Sequence, residues 1–281
     1  MEWIEQMNRG IRYIEQNLTG RVDPARLGQI CGCSAGQFQR MFSYLAGVPL
    51  SVYLRRRRMS RAAADLQAGG KVIEVAARYG YDSPTAFHRA FRSVHGAAPS
   101  AVRDGRAPAC SYPPILFHLT VQGVCEMNYR IVTRDAFRVA GVGAPIHPEM
   151  EKNFAAVPAL WHSAVESGTL ARLLAQANGE PQGLLGVCDC RDPEAGRYLI
   201  AVATDAPADG WETMTIPPAC WAVFPGAGTS RDLQALERRI FTEWLPASGY
   251  VYGDAPDIEV YKTPNPADTA FEVWVPVKKA P

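Results

Sequence analysis

The chain has 281 residues, 47% hydrophobic and 20% charged, which is too apolar for a disordered protein and long enough for two domains. No apolar run reaches eighteen residues, and the N-terminal MEWIEQMNRG lacks the basic, apolar, small-residue order of a secretory leader, so a cytoplasmic protein without a membrane partner is expected. Net charge is +1, yet residues 1–107 carry 16 Lys and Arg against 8 Asp and Glu, whereas 108–281 carry 13 against 20, so one half suits a polyanion and the other does not.

In chain order, the basic half reads as helical throughout. Trp3, Ile4, Met7, Ile11, Ile14 and Leu18 form one stripe at 3.6 spacing over residues 2–18. Asp23-Pro24 opens a second helix as N-cap and first helical residue. Ser34 caps a third that holds Phe38, Met41 and Phe42, and a long helix runs from about Ser51 to Gln67, stopped at Gly69-Gly70. A short helix at about 72–79 and one entered at Ser83-Pro84 and ending before Gly96 complete this half. RDGRAPACSYPPIL (103–116) has three prolines and no period, so domains at 1–107 and 122–281 are expected, joined by a linker at 108–121.

Beyond the linker the period changes to two. Strands are expected at about 127–133, 137–143, 184–190, 197–204, 219–225, 257–262 and 270–277, interrupted by helical stretches at 148–177 and 230–245. The order β-β-α-β-β, then β-α-β-β, predicts an α+β domain of two similar halves.

The basic half contains an internal repeat. FQRMF (38–42) returns as FHRAF (87–91), and Ser34, Phe38, Arg40, Phe42 and Gly47 reappear 49 positions on as Ser83, Phe87, Arg89, Phe91 and Gly96. In LGQICGCSAGQFQRMF a short helix ends in a turn at Gly32, and a second starts at the capped serine. Leu27, Ile30, Phe38, Met41 and Phe42 pack the two together, giving a helix-turn-helix. The residues left outside are Ala35, Gly36, Gln37, Gln39 and Arg40, and in the second copy Pro84, Thr85, Ala86, His88, Arg89 and Arg92. Arginine reads guanine and glutamine reads adenine, so two such helices predict double-stranded DNA bound through two successive major grooves, about 34 Å apart. The run RRRR (55–58) covers all faces of its helix and cannot meet DNA as a whole, so a solvated face with one buried salt bridge competes there with a phosphate clamp.

In the acidic half, Glu259 and Tyr261 of DIEVY share a strand face opposite Ile258 and Val260, and a carboxylate among aromatics can hold a cation. Along FEVWVPV, Trp274 shares a face with Glu272, opposite Phe271, Val273, Val275 and Val277, and a tryptophan off the core face suggests a ligand wall. Trp161, Trp221 and Phe224 are further candidates for such a wall, for which core is the usual role.

Residues 3–103 resemble the DNA-binding domain of the AraC/XylS family of transcription regulators, and its MarA, SoxS and Rob branch in particular. The resemblance is carried by GCSAGQFQRMF, GVPLSVYLRRRRMSRAAADL and VAARYGYDSPTAFHRAFRSVHGAAPSAVR. It implies recognition helices at 35–43 and 84–92, with base readers at Gly36, Gln39 and Arg40 and at Pro84, Thr85, His88 and Arg89; RNA polymerase is an expected protein partner. The branch has a large aromatic where this chain has Gly36 and paired glutamines where it has Pro84-Thr85, so its DNA preference does not transfer. Residues 125–279 resemble a gyrase-inhibitor-like (GyrI-like) effector-binding domain, through MNYRIVTRDAFRVAGVG, PALWHSAVESG, PDIEVYKTP and FEVWVPVKK. That resemblance implies a two-lobed fold with a cleft and lipophilic cations as ligands. The family's cation-binding glutamate falls on Glu259 and an aromatic wall on Trp274.

The expected protein is a ligand-responsive transcription regulator, not an enzyme, whose small effector is aromatic or cationic; two reading units in one chain fit a monomer or a weak dimer. One alternative is a hydrolase using Glu259 and Tyr261 for acid-base work. Another is a thiol or metal sensor at Cys188 and Cys190. The seven cysteines include two Cys-x-Cys pairs, the other being Cys31 and Cys33, but neither has zinc-ribbon spacing or a nearby histidine, so reduced, buried thiols are expected, with no metal and no cofactor.

Overall fold

The structure is a computed structural model that describes residues 2–118, 126–147, 150–192, 195–206, 210–263 and 269–280. Helix α1 (Glu2–Gln16) buries Trp3, Met7, Ile11 and Ile14. Helix α2 (Pro24–Cys31) starts where the Asp23 carboxylate accepts from the Ala25 N–H at 2.9 Å, and it stops at Gly32, whose φ of 71° is costly for any residue with a Cβ. Helix α3 (Ala35–Ala46) begins in a capping box: Ser34 Oγ accepts from the Gln37 N–H, and Gln37 Oε1 accepts from the Ser34 N–H. Phe38, Met41 and Phe42 close this first helix-turn-helix against α1.

Helix α4 (Leu50–Gln67) leads to the second unit, α5 (Val72–Arg78) and α6 (Pro84–His95), whose Phe87 and Phe91 pack with Met59, Leu66 and Val75 in a core of their own. Helix α7 (Pro99–Arg103), absent from the sequence expectation, adds Val102 to that core. The four arginines of α4 divide as follows. Arg57 is buried against Glu15, Arg58 donates to the Leu18 and Gly20 carbonyls beyond the end of α1, Arg56 lies 5.0 Å over the Tyr112 ring, and Arg55 is exposed.

The Pro-rich stretch is tied down rather than free. Arg57 donates to the Tyr112 carbonyl, Asn8 makes two hydrogen bonds with the Phe117 backbone, and the Phe117 ring meets Phe42 edge-on at 6.2 Å. The end of the expected linker, within 119–125, lies outside the described residues.

The C-terminal half forms one antiparallel sheet with its helices. Its strands are β1 (Arg130–Arg134), β2 (Phe137–Pro145), β3 (Leu184–Asp189), β4 (Arg197–Ala203), β5 (Glu212–Ile216), β6 (Ala219–Gly228), β7 (Tyr250–Tyr252), β8 (Asp257–Tyr261) and β9 (Thr269–Lys279). The order is β1-β6-β9-β8-β3-β4-β2-β5, with β7 on β9. Exchanging β1 with β5, β2 with β6, β3 with β8 and β4 with β9 reverses this order onto itself. The expected two halves are therefore present, related by a pseudo-two-fold axis between β3 and β8. Strand β5, the counterpart of β1, was missed because ETMTI is short and only partly buried. The expected helix at 148–177 is broken at Gly168 into α8 (Met150–Glu166) and α9 (Thr169–Leu174). The second runs as α10 (Ser230–Arg239), a π-helical turn (Ile240–Trp244) and a last turn to Ala247. Helices α8 and α9 cover one half of one sheet face and α10 covers the other half.

The opposite face curls on itself. Strands β2 and β6 are five steps apart in the sheet, roughly 24 Å if it were flat, yet the Phe137 and Trp221 rings are 6.3 Å apart. Trp221, Trp274, Leu185, Val187, Ile258 and Val260 fill this hollow. Here the structure corrects the sequence reading of Trp274. Its register partner is Ile258, while Glu259 pairs with Val273, so Trp274 points away from Glu259. Strand alternation was read rightly, but both faces of this strand are core. Trp274→Ala should therefore destabilise the protein by about 3–5 kcal/mol, seen as a lower denaturant midpoint.

Candidate functional site

Asp257, Glu259 and Tyr261 lie in one row along β8, on the face beneath the helices. Glu259 Oε2 accepts from the Tyr261 hydroxyl at 2.9 Å and the Tyr198 hydroxyl at 3.1 Å. Trp161 of α8 donates its indole N–H to Tyr198 at 2.9 Å and stands edge-on to Tyr261 at 5.0 Å. Gly186 on β3 makes this possible, because a Cβ there would sit 2.5 Å from both Glu259 Oε2 and the Tyr198 hydroxyl. The carboxylate thus meets an aromatic wall directly beside the pseudo-two-fold axis. Although Glu259 keeps part of its surface accessible, burial and the Glu237 charge push its pKa up to about 7, with Arg40 and the two tyrosine hydrogen bonds pulling the other way.

Of the expected effector residues, the structure brings together Glu259, Tyr261 and Trp161. Phe224 shares their face two strands away but packs against Trp244 at 4.9 Å. Trp221 and Trp274 belong to the hollow behind the sheet. Tyr198 was missed: in the buried run RYLIAVA it looks like core, and the sequence does not place its hydroxyl against Glu259.

The two faces expected to read DNA differ sharply. On α6, Thr85, His88, Arg89 and Arg92 are all exposed. On α3, the face left free by the helix-turn-helix is covered by the C-terminal domain, which corrects its expected exposure. Arg40, 9% exposed, binds Glu237 of α10 and reaches Asp257 at 3.2 Å. Gln37 donates to the Gly253 carbonyl at 3.0 Å, Ser34 Oγ donates to the Cys190 carbonyl at 2.8 Å, and Gln39 is half-buried. A Cβ on Gly36 would lie 2.5 Å from the Cys190 oxygen, so only glycine fits there. Tyr44 donates to Glu237 and Tyr252 to Asp257, and the Phe241 ring stacks between those two tyrosines at 5.4 and 5.8 Å. Burial opposes the Arg40 charge, but Glu237 and Asp257 outweigh it and hold the guanidinium protonated. Burial likewise pushes Asp257 up to about 6 against the pull of Arg40 and Tyr252. Asp257 could have been found by extending the Glu259 alternation two residues back, whereas nothing in SRDLQALERR separates Glu237 from a solvated carboxylate.

The Cys188 and Cys190 sulfurs are 3.3 Å apart at this interface, and their mutual hydrogen bond together with burial raises the Cys188 pKa. Burial also pushes Cys31 up to about 12. Among the described residues, no three His, Cys, Asp or Glu side chains converge as a metal site. No helix among them is long and apolar enough to cross a membrane.

A double helix-turn-helix joined to an α+β domain with an aromatic-lined carboxylate defines a DNA-binding regulator that carries a small-molecule binding domain. Residues 127–278 match the GyrI-like small molecule binding domain, over half of the chain, and the protein belongs to that family; residues 27–105 match an AraC-type helix-turn-helix domain. The HTH-type transcriptional activator AarP of Providencia stuartii is 38% identical over 92 residues, covering 32% of this chain and 68% of that protein. The transposon Tn10 TetD protein of Escherichia coli is 34% identical over 95 residues, covering 34% and 69%. The right origin-binding protein of Escherichia coli strain K12 is 24% identical over 294 residues, covering 93% of this chain and 96% of its own length. The matched domain is described as a small molecule binding domain, and the relatives that share the helix-turn-helix half include transcriptional activators.

Glu259 gives a signed pH dependence. Its pKa is 4.5 ordinarily and about 7 in the fold, so the folded state favours the protonated form. Its contribution to stability is complete below about 4.5 and lost as pH rises through about 7. Glu259→Gln should therefore gain stability relative to the unaltered protein between pH 5 and pH 8. Denaturant midpoints at the two pH values check this, and an equal difference at both would remove Glu259 titration as a factor.

Proposed function

We propose that this regulator reads DNA with the outer faces of α3 and α6 and responds to a small aromatic cation held at Glu259. The observation that carries the effector class is the carboxylate bonded by Tyr198 and Tyr261 and walled by Trp161. Burial disfavours the free Glu259 anion, and a bound cation would offset that cost by pairing with the ionised carboxylate. The neighbouring Trp161 and Tyr261 rings would add to this, since the attraction of a ring for a desolvated cation reaches about 2 kcal/mol. For DNA, Arg89 and Arg92 project from a rigid capped helix into solvent, as base and phosphate contacts require.

Tetraphenylphosphonium should quench the tryptophan fluorescence of the full chain saturably. Glu259→Gln should weaken binding at least tenfold, and affinity should rise from pH 6 to pH 8 in the unaltered protein only. Saturable binding that ignores both the substitution and pH would place the ligand elsewhere. On duplexes selected from a random pool with the full chain, Arg89→Ala should lose roughly 5- to 100-fold in affinity and relax selectivity at one base position. A uniform loss across sequences would make Arg89 a phosphate contact.

A further inference from the structure

We propose that Arg40 is a built-in occupant of the cation cleft, so that the cationic effector and the docking of α3 onto the C-terminal domain oppose each other; this rests on the cation reading of Glu259. Helix α8 reaches the Glu259 cluster through the Trp161–Tyr198 hydrogen bond, and α3 packs against α10 and its π-helical turn, placing a guanidinium between Glu237 and Asp257 and over the Tyr44 ring at 5.9 Å. A carboxylate bonded by tyrosine hydroxyls is the chemistry also found around Glu259. Asp257 and Glu259 are two residues apart on one strand face, about 7 Å. The two cation positions are therefore neighbours within one acidic row.

Docking is built into the helix, beyond the ion pairs. Gln37 satisfies the Ser34 N–H with its oxygen while its nitrogen donates to Gly253, and Gly36 admits the Cys190 backbone. The outer face of α3 cannot meet this surface and a major groove at once, whereas α6 remains open. In the docked state one recognition helix of two is withheld from DNA. A cation at Glu259 adds like charge about two residues from the Arg40 partner and competes for the same carboxylate field. By linkage, each must weaken the other by the same factor.

The test uses the full chain and tetraphenylphosphonium. Arg40→Gln removes the occupant; Gly36→Val wedges the interface without changing a charge. Both should bind tetraphenylphosphonium roughly tenfold more tightly than the unaltered protein. In the unaltered protein the cation should speed hydrogen exchange at the backbone amides of residues 35–40, and α6 should not change. Equal affinities in all three proteins, with exchange in α3 unmoved, would overturn the inference while leaving cation binding intact. Failure of all three to bind would remove the cation reading and this inference with it.

Discussion

The guanidinium of Arg40 between Glu237 and Asp257 fixes how the two domains meet. Taking these charges out of water costs several kcal/mol per ion, and it is tolerable only because the acceptors are filled: Tyr44 bonds Glu237 and Tyr252 bonds Asp257. Removing one partner would strand the others, so the cluster acts as a unit. It sets the depth and rotation of α3 in the cleft. The contacts of Gln37, Ser34 and Gly36 then follow from that one placement.

The cleft itself is a product of symmetry. A sheet whose halves exchange their first strands places its axis between β3 and β8, and helices from each half flank the line between them. Gly186 leaves the space in which Glu259 and Tyr198 meet across β3. The hollow behind the sheet is filled with Trp221, Trp274 and aliphatic side chains, and Glu259 lies on the other, helical side.

Local signals were strong where the chain could satisfy itself nearby. Capping at Asp23, Ser34 and Ser83, the glycines that end the recognition helices, and the repeated Phe-x-x-x-Phe spacing all concern contacts within a dozen residues. They made both helix-turn-helix units legible, as alternation made Glu259 and Tyr261 partners on one face. Trp274 was misplaced because alternation tells which residues share a face but not which face meets water, and here neither does. Strand β5 and the break at Gly168 were missed because a five-residue strand and a single positive φ leave little periodic trace.

The sequence by itself determined a basic pair of helix-turn-helix units joined to an acidic, two-fold repeated α+β domain, and a carboxylate, Glu259, set beside an aromatic on one strand face. Periodicity, capping and the 49-residue repeat are properties of neighbouring residues, so they can be read along the chain. Only the tertiary structure decided that Arg40 faces Glu237 and Asp257, separated from it by 197 and 217 residues, and not solvent. An arginine on an open helix face is equally suited to a guanine edge, a phosphate or a buried carboxylate pair. Which of these it meets depends on the surface that folding brings against it, and no local pattern carries that information.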